Sequence, residues 1–198
     1  MDKLGQAFCP SCLFNIKSTT SDNREILKMK GALLMKKEDF ELGVLRPEDA
    51  DEATLLFVEN VDKSYISHGE MQIGRAISES EWAENLYDQV RAEIIEIVSQ
   101  DTVALPCCRN KEGKLVGWAI CSLNLEYRYA ELEDLVVKCD SRKNGIGKLL
   151  IESCEKFVKD NYINQIFLES GILNYSAHSF FSKFEYKKCS HVFRKILD

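Results

Sequence analysis

The stretch of residues 130–160, AELEDLVVKCDSRKNGIGKLLIESCEKFVKD, constrains the fold more than any other. An apolar run that alternates like a strand ends near Val137, a polar loop follows, and from Gly145 apolar positions recur at helical spacing to about Asp160. A strand delivered into a helix N-terminus commits this part of the chain to an α/β arrangement. The first turn of a helix leaves backbone N–H groups unpaired and carries partial positive charge. Glycines let an anion approach that backbone, and Arg142, Lys143 and Lys148 add cationic side chains. The turn therefore reads as a seat for a pyrophosphate.

Two better-known phosphate loops are excluded by the residues present. A Walker loop needs a glycine where Arg142 stands and Ser or Thr where Leu149 stands. A dinucleotide fingerprint needs a third glycine where the chain has Leu150. What remains is Arg-x-x-Gly-x-Gly, spelled Arg142, Lys143, Asn144, Gly145, Ile146, Gly147.

The surrounding pattern is that of one mixed domain. FELGVLR alternates as a strand, and PEDADEATLLFVENVDKSYI opens on Pro47 with acids in its first turn, as a helix does. A second helix is predicted over SESEWAENLYDQVRAEIIEIVSQ, with a capping-box spacing at Ser78 and Glu81 or near Ser80 and Glu84. TVALPCCRN, KEGKLVGWAICSLN and AELEDLVVK are successive strands, the first two joined by a turn at NKEGK. QIFLES is a further strand, followed by a helix from about Tyr175 to Phe184 and a final strand, YKKCSHVFRKIL. Residues 1–37 read as an N-terminal extension and residues 38–198 as the principal domain.

Charge narrows the partners. The chain of 198 residues has a formal net charge of −6, distributed as +4 over residues 1–37, −13 over 38–105 and +3 over 106–198. An acidic balance argues against nucleic acid and for a cationic partner. No apolar window is long enough to span a membrane, and no signal-like segment opens the chain, so a soluble cytoplasmic protein is expected. The basic, apolar-spaced segment from Arg24 to Lys37 reads as an arm that packs on the domain or on a second subunit of a homodimer, in preference to a membrane-surface helix, because it is short and Gly31 weakens a helix. Eight cysteines scattered through apolar segments read as reduced thiols; Cys9 and Cys12 have metal-ligand spacing, but Cys107 and Cys108 are a poor second pair, and no metal is expected.

With AELEDLVV before the loop and LESGILNYSAHSFFSKFEY after it, the segment resembles the GCN5-related N-acetyltransferase family, specifically over residues 130–195 and in element order over 38–129. The tail SAHSFFSKFEYKKCSHVFRKIL is similar to members that acetylate small amines, aminoalkylphosphonate acetyltransferases among them. The resemblance implies a mixed, mostly antiparallel sheet of about six or seven strands, splayed at the cofactor site and flanked by about four helices. It implies acetyl-CoA as co-substrate, with the loop from Arg142 to Lys148 at the pyrophosphate and Leu135, Val136 and Val137 pairing with the pantetheine arm as an added strand would. Asn174 takes the family position that contacts the cofactor arm, and it is equally a natural helix N-cap. Phe181 stands where the family commonly places a tyrosine that protonates the departing thiolate.

The expected reaction moves an acetyl group directly from CoA to a primary amine of a small cationic molecule or a lysine side chain. The amine must lose a proton, having a free pKa of about 10.4. Glu131 and then Glu133 are the candidate bases, two apart and hence on one face, with Asp134 on the other. A backbone N–H at Val136 or Val137 would hold the developing oxyanion. Without a tyrosine at 181, water, Tyr175, Ser179 or Tyr186 must supply the acid. The alternative is a weakly active acyl-CoA-binding module with a regulatory role.

Overall fold

The computed structural model describes residues 36–37 and 39–197; the extension with Cys9, Cys12 and the Arg24 arm lies outside them, apart from Lys36 and Lys37. The central strand is β7 (Leu115–Asn124), and eight of its ten residues are buried, as a strand covered on both faces must be. Antiparallel neighbours flank it. On one side lie β6 (Pro106–Asn110), β2 (Phe40–Val44) and β1 (Lys36–Lys37), with β5 (Val103–Ala104) pairing the far end of β7. On the other side lies β8 (Tyr129–Val137), and beyond it β9 (Ile166–Leu168), which runs parallel. The sheet is thus mixed and mostly antiparallel, as expected.

Helices cover both faces. On one face, α1 (Ala50–Asn60) and α3 (Leu86–Ile97) bury Phe57, Val90 and Ile94 against Trp118, Ile120 and Val136. Each such large apolar side chain contributes about 1.5–3 kcal/mol on burial. The Trp118 indole donates to the Ala53 carbonyl at 2.9 Å, which satisfies its polar edge inside the core. On the other face, α4 (Ile146–Asp160) turns Ile146, Leu150, Cys154 and Val158 inward. It approaches so closely that a Cβ on Gly117 would lie 2.9 Å from Ile146.

Three sequence expectations are corrected. The helix expected from Ser78 begins at Leu86, because Ala76–Ser78 and Glu81–Trp82 form a small hairpin (β3, β4) that sets the Trp82 ring against Phe57 and Tyr65. TVALPCCRN is two strands broken at Leu105. The closing strand is absent: residues 186–197 have no regular structure, and Arg194 pairs with Glu79 instead of extending a ladder. Alternation alone makes no strand where no backbone edge receives it.

Candidate active site

Strand β8 carries the site because it is paired on one side along its whole length and on the other only in part. β7 accompanies it from Asn124↔Tyr129 to Gly117↔Val137, whereas β9 pairs with Ala130, Glu131 and Leu132 alone. Beyond Leu132 the parallel strands part. A groove of ≈ 990 Å³ opens there, lined by residues 131–137, by Arg142, Lys143 and the start of α4, and by Asn174 and Phe181.

The register of β8 slips at Glu133, since Ile120 faces Asp134 while the next residue, Cys121, faces Leu132. This one-residue bulge overturns the expected alternation. Ser122 opposes Glu131 and Ile120 opposes Asp134, and Ser122 and Ile120 share a face of β7, so Glu131 and Asp134 share a face of β8. Glu133 joins them there, because the Ser122 hydroxyl donates to its carboxylate. Glu133 stays exposed at its tip, yet the protein around its stem strips away enough water to raise its pKa, opposed by that hydrogen bond.

Past the bulge the backbone offers polar groups to the groove. Leu135 N–H reaches the Tyr65 hydroxyl at 3.4 Å, and the Val137 carbonyl accepts from Arg142 Nε at 3.0 Å. Alternation then turns Val136 N–H toward β7 and leaves Val137 N–H on the open edge. Of the two donors expected for the oxyanion, Val137 is the one so placed.

The loop after β8 is built as the sequence implied, with one change of role. Gly145 has φ +85°, the left-handed region that glycine adopts without penalty, and Lys143 is also left-handed at φ +67°. Arg142 does not simply point at solvent. Its Nη2 donates to the Asn60 carbonyl at 2.8 Å while Nε holds Val137, so it ties the loop to the ends of α1 and β8. Gly147 makes room for an aromatic ring, since a Cβ there would meet Phe180 at 2.9 Å. Asn144 is not among the lining residues; its amide donates to the Ser141 carbonyl at 3.3 Å. Asn174 caps α5 (Tyr175–Ser182) by accepting from Ala177 N–H at 3.1 Å, and it lines the groove as well. Phe181 packs between Phe180 and Tyr186; none of Tyr175, Ser179 and Tyr186 lines the groove.

At the far end lies a cluster the sequence did not reveal. Arg75 is 4 % exposed and receives three carboxylates: Asp134 at 3.1 Å, Glu93, and Glu70 at 3.5 Å. Tyr65 donates to the other Asp134 oxygen at 2.7 Å, and burial together with Asp134 holds its phenol well above its ordinary pKa. Burial, then the charge of Asp134, pushes the Glu70 carboxyl up to about 7. These residues come from a turn, α2 (His68–Gln72), α3 and β8, and no local spacing links them. Cys107 and Cys108, adjacent in β6, are buried, and burial raises their thiols to about 11 and 12.

Comparison with known proteins agrees with this geometry. The family model described as Acetyltransferase (GNAT) family matches residues 71–186. The chain belongs to that family. Streptothricin acetyltransferase A of Bacillus subtilis (strain 168) is 36% identical over 55 residues, which are 28% of this chain and 32% of that protein, so the match spans about a third of the curated relative. Among solved structures, an aminoglycoside antibiotic 6'-N-acetyltransferase from Acinetobacter baumannii superposes with a TM-score of 0.58 at 14% identity, covering 80% of this chain and 99% of that one. A ribosomal-protein-alanine N-acetyltransferase from Brucella melitensis biovar Abortus 2308 gives 0.56 at 18% identity, covering 79% and 99%. A transcriptional regulator from Bacillus halodurans C-125 gives 0.59 at 16%, covering 80% and 99%. At these identities the structures share the fold of this GNAT chain.

Proposed function

We propose that this GNAT chain, through the domain of residues 38–198, transfers an acetyl group from acetyl-CoA directly to a primary amine of a cationic acceptor, a small molecule or a lysine side chain. One observation carries the reading: the groove is divided by charge along β8. Glu131, Glu133 and Asp134 lie on the near side of the open edge, and Arg142, Lys143 and Lys148 lie past its end, where α4 begins. A substrate with a phosphorylated end and an amine acceptor would each meet the opposite charge, and their reacting ends would meet at the edge between.

The residues present fit acetyl-CoA. An arm bearing amides pairs with an open strand edge, and α4 offers its first N–H groups beside a left-handed glycine. The chemistry then asks for little. A carboxylate takes one proton from the ammonium, and the freed nitrogen attacks the thioester carbonyl. Val137 N–H, on the open edge, is the donor for the oxygen that gains charge, the nitrogen sheds its second proton to water as the C–S bond breaks, and the thiolate leaves and takes a proton from water. Of the pair Glu131 and Glu133, Glu133 is the better-placed base, because the Ser122 hydroxyl fixes its carboxylate at the bulge beside the open edge, and its pKa is raised.

The acyl-CoA-binding alternative draws on Phe181 and on the absence of Tyr175, Ser179 and Tyr186 from the lining. A thiol-release assay with acetyl-CoA over a panel of amines separates the two. Amine-dependent release of CoA is expected; CoA binding without release for any amine would sustain the alternative.

A further inference from the structure

The mechanism above leaves one group unused. Glu70 is 7 % exposed, and its sealed Oε2 makes no hydrogen bond, only a 3.5 Å ion pair with Arg75 Nη1, which lies closer to Asp134 at 3.1 Å. A buried carboxylate oxygen without a hydrogen bond is costly, and native structures rarely leave one unless a ligand or proton completes it. Glu70 also borders the groove, as do Arg75, Glu93 and Asp134. One guanidinium facing three carboxylates leaves this corner short of positive charge.

We propose that the acceptor carries a second ammonium group, bound by Glu70 at this corner while the reacting amine meets Glu133 at the bulge. The inference rests on the acetyltransferase reading and deepens it: the acceptor is at least a diamine. An ammonium at the groove side of Glu70 supplies a donor to its carboxylate and the charge that Arg75 alone does not provide. Burial, Asp134 and Glu169 hold Glu70 near neutrality as a proton carrier in the free protein, opposed by Arg75. The other groups at this corner are the Tyr65 phenol, Glu93 on Arg75, and His68, which pairs with Glu169. A dication therefore displaces a proton from Glu70 when it binds near neutral pH, in excess of any released at Glu133, whereas a monoamine held at Glu133 leaves the Glu70 proton in place.

Calorimetric titration with putrescine and butylamine, in the presence of CoA and in buffers of different ionisation enthalpy, tests this. Putrescine is expected to bind about tenfold or more tightly than butylamine, the effect of one charge-assisted contact, and to release more protons near pH 7 than butylamine does. In Glu70→Gln the excess release of putrescine over butylamine vanishes and the two amines bind within about threefold of each other, with CoA and butylamine affinity unchanged. If that variant fails to fold, the wild-type pair of titrations still decides. Equal affinities and equal proton release for the two amines in the wild type overturn the second site. Should butylamine then be acetylated, the acetyltransferase reading stands without it; should no amine be acetylated, that reading falls too.

Discussion

Glu131 and Glu133 look alike in the sequence, and the bulge makes them different. Glu133 takes a hydrogen bond from Ser122 and has its pKa raised by partial loss of water, while Glu131 opposes Ser122 within the ladder. Glu133→Gln is therefore expected to lower kcat by about 10²-fold and flatten the acid limb of the pH profile, with CoA affinity unchanged; Glu131→Gln should cost less than about tenfold. Steady-state kinetics on both variants checks the assignment, and the reverse order would return the role to Glu131. Glu70 makes a separate prediction about stability. Its folded pKa of about 7 lies above its ordinary 4.5, so the folded state binds the extra proton between these values. The stabilisation is complete below about pH 4.5 and is lost as pH rises through about 7. Glu70→Gln should thus be more stable than the wild type at pH 8, by on the order of 3 kcal/mol at most, and the gap should close toward pH 4.5. Thermal unfolding across pH measures it; a gap that widens in acid would contradict the sign.

At the scale of elements, the strand, loop and helix from Tyr129 to Asp160 were legible because their signals are local: a period of two, a period of 3.6, and glycines at the join. Gly145 illustrates how directly one residue follows from its conformation. With φ at +85°, Gly145→Ala is expected to cost about 1 kcal/mol or more of stability and to weaken CoA binding, since the first turn of α4 must shift. Isothermal titration with CoA, set beside a control such as Gly113→Ala in the β6–β7 turn at φ +77°, separates the two effects: both lose stability, and only the first should lose affinity. What was not legible is tertiary. The bulge at Glu133 depends on how β8 meets β7, so a strict period of two placed Asp134 on the wrong face. The hairpin ahead of α3 is held by rings from other elements, and the capping-box spacing near Ser78 competes with it and loses. Gly147 was read as clearance for a phosphate; it is also clearance for Phe180, a contact that exists only once α5 folds back. The Arg75 cluster joins residues up to 69 positions apart, and no spacing rule reaches that far.

At the scale of the molecule, the charge of −13 over residues 38–105 divides between two destinations. Much of it is spent on the outside: Asp51 pairs with Arg91, Asp49 and Glu52 with Arg109, and Asp39 with Lys111. From that segment Asp62, Glu70 and Glu93 border the groove, where they join Glu131, Glu133, Asp134 and Glu169. The steering field on an acceptor therefore comes from a few carboxylates at one end of a concave site, not from the overall charge. Such a field is short in salt, reaching roughly 8 Å at about 0.15 M. With acetyl-CoA saturating, so that the cationic end is already filled, kcat/KM for a polycationic amine should fall as salt rises from about 20 to about 300 mM, while that for a zwitterionic aminoalkylphosphonate should hold level or rise. The weak likeness of the tail to phosphonate-amine acetyltransferases predicts the opposite preference. Salt titrations on the two amines decide between them: a flat profile for the polycation, together with faster turnover of the phosphonate, would make the acidic end a solvated face and leave recognition to the shape of the groove.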